Sequence, residues 1–85
     1  MKLGVYAIYD KKVGFMIPSF QQNDELSIRN FEIDITSPEA RAINIHPEDF
    51  NLQKIGSYDT ETGIMESINP TVLCDAGSFI RKEIK

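Results

Sequence analysis

The chain has little of what most site chemistries require: one cysteine, one histidine and no tryptophan in 85 residues. Cys74 alone cannot close an intramolecular disulfide, so a secreted, stapled scaffold is excluded and a reducing compartment fits best. With no CxxC partner and no cationic neighbour, Cys74 reads as a buried or idle thiol, and zinc-ligand spacing is absent. His46, directly before Pro47, reads as a capping or packing residue rather than as the base for Ser57, Ser67 or Cys74. No glycine-rich phosphate loop, GxSxG elbow or HExxH is present. An enzyme is therefore not expected, and neither a cofactor nor a metal site. No apolar run approaches the roughly 18 to 20 residues of a membrane span, and Met1 to Asp10 has polar residues around a short apolar run, so a soluble, untargeted protein is expected.

What is there suits one domain over residues 1–85. With 41% hydrophobic and 26% charged residues the composition is that of a globular domain rather than a disordered chain. A chain of this size buries only about 60 to 65% of the surface its unfolded form exposes, so the core is modest and dimerisation is plausible. The net charge of -4 argues against nonspecific phosphate binding, which depends on clustered cations. The cations gather toward the ends, at Lys2, Lys11 and Lys12 and at Arg81, Lys82 and Lys85. Solvated termini are the plain reading, and a basic edge results only if the ends meet.

Lys2 to Asp10 alternates as a strand apolar on both faces, with Leu3, Val5, Ala7 and Tyr9 on one and Gly4, Tyr6 and Ile8 on the other. Val13 to Ile17 reads as an edge strand ended by Pro18, with a bulge at Gly14. Asn23 is a good N-cap, Asp24 and Glu25 load a first turn, and Ile28, Phe31 and Ile35 repeat on one helical face. These features favour a helix from Asp24 to about Thr36, against a strand reading of the alternation from Phe31 to Ile35. Ser37-Pro38 stops that helix or starts a further turn through Ala42, and Ile43 to His46 reads as a connector. Pro47, Glu48 and Asp49 start a short helix or 3₁₀ turn. A strand from Leu52 to Tyr58, a turn from Asp59 to Gly63 with Gly63 in the left-handed region, and a returning edge strand from Ile64 to Ile68 complete the pattern. From about Asn69 a partly ordered tail is expected, with Val72, Leu73, Phe79 and Ile80 able to dock. The expected fold is α+β: a small antiparallel sheet of about four strands, in the order β-β-α-β-β, with one main helix on one face.

The acid pairs Asp24-Glu25 and Glu48-Asp49 sit in first turns, where the helix dipole accounts for them without catalysis. Asp59 to Gly63 lacks the spacing of a calcium loop. Single-strand nucleic-acid binding needs exposed rings and nearby cations, and Tyr6, Tyr9, Phe15 and Phe20 lie close in sequence to Lys2, Lys11, Lys12 and, through the helix, Arg29. The candidate set is Lys2, Tyr6, Lys11, Lys12, Phe20 and Arg29. Core placement of the rings is the favoured alternative, and an exposed, basic face at Tyr6 would reverse that preference.

The IYD of Ile8 to Asp10, the PSF of Pro18 to Phe20, the IRNF of Ile28 to Phe31 and HPEDFNLQKIGSYDTETG from His46 to Gly63 resemble the small nonstructural protein of gokushoviruses, single-stranded DNA phages of the Microviridae. The likeness runs from Met1 to about Gly63 and is densest at Phe50, Ile55, Gly56, Tyr58, Asp59 and Gly63, and the tail beyond Ile68 departs from the family's shorter ending. The resemblance implies a nonenzymatic accessory protein of the host cytoplasm, absent from the mature virion and associated with viral single-stranded DNA replication or packaging. It implies no catalytic residues. Three modes of action stand open: binding phage or host replication proteins, binding single-stranded DNA directly, and serving as a scaffold-like homodimer through an uncovered sheet face or edge.

Overall fold

A computed structural model describes residues 1–80 of the chain. Its frame is the antiparallel pair of β1 (Lys2–Asp10) and β4 (Phe50–Asp59), in register from Lys2 opposite Asp59 to Asp10 opposite Phe50. One extra β4 residue, Ile55, interrupts the register between Val5 and Tyr6 of β1. Two short strands, β2 (Gly14–Phe15) and β3 (Ser19–Gln21), both pair with the outer edge of β1, and β5 (Met65–Asp75) pairs with β4 on the other side. The architecture is thus α+β, an open antiparallel sheet with one main helix.

Helix α1 (Asp24–Ile35) starts where Asn23 accepts the Leu26 N–H at 2.8 Å, as its capping chemistry demands. Ser27, Phe31 and Ile35 form its buried face, with Ile28 packed partly beside them, and Ile33 stays 60% exposed. The alternation from Phe31 to Ile35 is therefore a helix with one outward apolar residue rather than a strand. Phe31 and Ile35 join Tyr6, Ile43, Phe50, Leu52 and Ala76 in the core.

Several boundaries differ from the sequence expectation. The expected strand over Val13 to Ile17 narrows to two residues, and pairing resumes only beyond Pro18, which has no N–H to contribute. Gly14 takes φ +120°, open to glycine and not to a β-branched neighbour such as Val13. The expected connector from Ile43 to His46 belongs mostly to a second helix, α2 (Arg41–Ile45), which buries Ile43 and is tied back by Asn44 Nδ2 donating to the Ser37 and Ala40 carbonyls. His46 holds the cap position between α2 and the following 3₁₀ turn through its backbone, its N–H donating to the Ala42 carbonyl and its carbonyl accepting from the Asp49 N–H, while its 61% exposed side chain makes no capping bond and does not pack. Pro47–Asp49 forms the expected 3₁₀ turn.

The largest difference lies at the carboxyl end. The strand expected to stop at Ile68, before a loosely ordered tail, runs on to Asp75 and enters a 3₁₀ turn at Ala76–Ser78. Three β5 residues, Ile68 to Pro70, stand opposite the lone Ile55, because Lys54 pairs with Thr71 and Gly56 with Ser67. Pro70 therefore lies in a bulge on an edge strand, where a missing donor disrupts no ladder bond. Leu73, Cys74, Phe79 and Ile80 pack against the core as docking residues, whereas Val72 stays 51% exposed.

Candidate binding face

The two faces of the sheet are unlike. Cross-strand partners share a face, so Tyr6 with Lys54, Ile8 with Leu52 and Asp10 with Phe50 point to the side where α1, α2 and the 3₁₀ turns contribute Phe31, Ile35, Ile43 and Ala76 to the core. At the amino end of α1 the Tyr6 hydroxyl donates to Asp24 Oδ1 at 2.6 Å, and Lys54 Nζ lies 3.2 Å from the same oxygen and 5.9 Å from the centre of the Tyr6 ring. The Tyr6 hydroxyl holds the Asp24 carboxyl below its usual range, with burial opposing and Lys54 assisting. Burial, then the hydrogen bond to Asp24 and that carboxylate's charge, push the Tyr6 phenol well above its ordinary value. This cluster pins the helix to the sheet.

The opposite, helix-free face is built from Leu3, Val5, Ala7 and Tyr9 of β1 beside Tyr58, Gly56, Gln53 and Asn51 of β4. Val5, Ala7, Asn51 and Gln53 form a buried floor. Taller side chains rise around it. Tyr9 and Phe15 pack at 4.8 Å between ring centres at one end, and Phe20 and Tyr58 at 5.6 Å across β1 at the other. Phe15, Phe20, Met65 and Val72 remain 44 to 58% exposed around this shallow trough. On the floor Gln53 Nε2 donates to Asn51 Oδ1 at 3.0 Å. None of the β1–β4 pairs on this face carries a charge. Rings and amides so placed can stack and donate or accept hydrogen bonds, but they cannot neutralise phosphates.

The six residues expected to bind nucleic acid do not converge. Tyr6 is fully buried and hydrogen-bonded, which removes it as a stacking ring. Arg29 is exposed on α1, on the other side of the sheet, and Lys2 lies 4.0 Å from Glu66. Lys11 and Lys12 are exposed just beyond Tyr9, and Phe20 alone of the six lies on the helix-free face. The condition set for favouring a stacking platform, an exposed basic face at Tyr6, is not met. Sequence reasoning missed Tyr58, Met65, Val72, Asn51 and Gln53, whose shared face follows only from the long-range pairing of β4 with β1 and β5.

Among the described residues no group of three or more His, Cys, Asp or Glu side chains is placed to hold a metal ion. No helix among them is long and apolar enough to cross a membrane.

Fold and face together define a small α+β protein with one helix-covered sheet surface and one uncovered surface whose β1–β4 floor is uncharged, with Asp75 at its β5 rim. Over residues 3–79 the chain matches the family model described as Phage ORF5 protein, and it belongs to that family. It is thus a phage protein. The match passes Gly63 and takes in β5. No curated protein and no solved structure gives a significant match to the chain.

Proposed function

We propose that this chain is a nonenzymatic accessory protein of a single-stranded DNA phage, working in the host cytoplasm in viral DNA replication or packaging, and that it acts by binding. The surface that does so is the helix-free sheet face. A protein partner, a phage or host replication protein or a second copy, suits it better than DNA. The observation that carries this reading is the combination of half-exposed Phe15, Phe20, Met65 and Val72 with a floor that lacks charge. The test is calorimetric titration of purified phage replication proteins with the wild type and with Phe20→Asp. Heat that vanishes in the variant supports the reading, and equal affinity of the two proteins refutes it.

A second reading, direct binding of single-stranded DNA, draws on the Tyr9–Phe15 and Phe20–Tyr58 ring pairs, since bases stack on exposed aromatics. Among the described residues the cations beside the trough are Lys11 and Lys12, so this site predicts a slope of log affinity against log salt of about -1.4, at ~0.7 per phosphate. Anisotropy of a labelled oligonucleotide at several salt concentrations measures that slope. An affinity that falls far more steeply, or that disappears on Arg29→Glu, rejects a site in this trough.

A further inference from the structure

Resting on the reading of the helix-free face as a binding surface, we propose that its occupant is a second copy of this chain, docked face to face about a twofold axis. Among the described residues, exposed large apolar side chains outnumber buried ones, and Phe15, Phe20, Met65 and Val72 of that exposed set ring one surface. Their half-exposed state is that of side chains whose remaining contacts are supplied from outside the chain.

The dimensions suit this occupant. Nine β1 residues at about 3.3 Å each, across four strands about 4.8 Å apart, give a face of roughly 30 by 19 Å. That projects to roughly 570 Å² before side-chain relief is added, against the roughly 600 Å² per partner of the smaller specific interfaces. Charge points the same way. The chain carries a net charge of -4, but the pairs Leu3–Tyr58, Val5–Gly56, Ala7–Gln53 and Tyr9–Asn51 are uncharged, and Asp75, opposite Asn51 at the end of edge strand β5, is an exposed rim charge that two copies can leave in water. A DNA strand on the same surface would find no cation among these β1–β4 pairs to replace the solvation of its phosphates.

The floor is also self-complementary. The hydrogen bond from Gln53 Nε2 to Asn51 Oδ1 leaves the Asn51 amide N–H and the Gln53 carbonyl oxygen without a partner among the described residues. A twofold axis through the floor sets each free donor against the other copy's free acceptor, so the symmetric pair exchanges the water contacts of these solvent-reachable atoms for hydrogen bonds between copies.

Sedimentation equilibrium of the full chain at increasing concentration tests the proposal. The expected result is a mass approaching twice 9.7 kDa, with Phe20→Asp raising the dimer dissociation constant about 30-fold or more. Ile33→Asp, on the outer side of α1, should leave the constant unchanged. Near-ultraviolet circular dichroism verifies folding, and Met65→Asp replaces Phe20→Asp if the latter unfolds. A mass of 9.7 kDa at every concentration overturns the dimer, as does a dimer split by Ile33→Asp but not by Phe20→Asp or Met65→Asp. Binding to a phage replication protein or an oligonucleotide on the same samples separates the two levels. A monomer that loses such binding in Phe20→Asp overturns the dimer but keeps the face as a binding surface, and one whose binding is unchanged removes both.

Discussion

Replacing Tyr6 by Phe deletes one oxygen atom from the interior and tests whether this ring is an anchor or a binding platform. The hydroxyl donates to Asp24 Oδ1 at 2.6 Å, a hydrogen bond to an ionised group worth about 1.5–3 kcal/mol. The cost should fall at the lower end, because the Asp24 side chain is 42% exposed and keeps Lys54 at 3.2 Å, so water and the ammonium serve the carboxylate after the hydroxyl has gone. A loss of about 1.5 kcal/mol corresponds to a melting temperature lower by roughly 6–12 °C in a domain of this size. The loss depends on pH. Because the Asp24 carboxyl is held below its ordinary value in the folded state, its contribution is present above the unfolded pKa of about 3.9 and is lost as pH falls through the folded value. The gap between wild type and Tyr6→Phe should therefore be wide at neutral pH and narrow in acid. Tyr6 works at the other extreme: its raised pKa makes its contribution complete below about pH 10, and that contribution declines as the pH rises further. Thermal melts by circular dichroism at neutral and acid pH measure both effects, with Asp24→Asn completing a double-mutant cycle whose coupling should be about 1 kcal/mol. A Tyr6→Phe protein that melts within about 2 °C of the wild type at neutral pH refutes the anchor, since the hydroxyl would then carry no net bond.

Gly4→Ala should destabilise by about 1–3 kcal/mol in urea unfolding, because a β-carbon there would collide with the Tyr6 hydroxyl and ring that lie back over the glycine. Gly63→Ala places a side chain at φ +75°, where the N–H of Gly63 closes the turn onto the Asp59 carbonyl at 2.8 Å; about 1 kcal/mol should be lost, and an unchanged unfolding midpoint would contradict the left-handed turn. The Cys74 thiol is pushed up to about 11, by burial first and the Asp75 charge second, so its reaction with a disulfide reagent should be slow at pH 8 and rise as the pH approaches that value. Rapid labelling of the folded chain at pH 8 would contradict that burial.

The elements that sequence made legible are those whose signals are local. Asn23 caps α1 because its carbonyl oxygen reaches the Leu26 N–H three residues on, and Gly63 closes the hairpin because the turn needs a positive φ. The alternation of β1 likewise sorts Tyr6 from Val5 and Ala7. What each face meets is not a local property. The ring of Tyr6 could be assigned to core or to surface only once α1 was known to pack on its side, and Tyr58 joins Phe20 only through the registry of β4 with β1. Pro70 misled for the same reason, since a proline ends an interior strand but is tolerated in an edge bulge, and edge position is a property of the whole sheet. Helix α2 was illegible because its five residues have no side-chain cap and are held instead by Asn44 reaching back to Ser37 and Ala40.

The same sheet-level facts bear on how two copies would meet. An edge-to-edge pair requires a straight row of free N–H and C=O groups. The outer edge of β5 is broken by the bulge from Ile68 to Pro70 and by a second register shift near Leu73. The other side of the sheet ends in β2 and β3, of two and three residues, interrupted by Pro18. Bulges, prolines and short strands are the devices that keep edges from templating another chain. Apolar exposure on the helix-free face is guarded only at its rim, by Asp75 opposite Asn51, since no charge stands among its β1–β4 pairs. If copies associate through the helix-free face as proposed, with both edges so blocked, continuous-sheet dimerisation through β5 should fail. Replacing Pro70, which restores a backbone donor at the bulge, should accordingly leave the sedimentation mass unchanged.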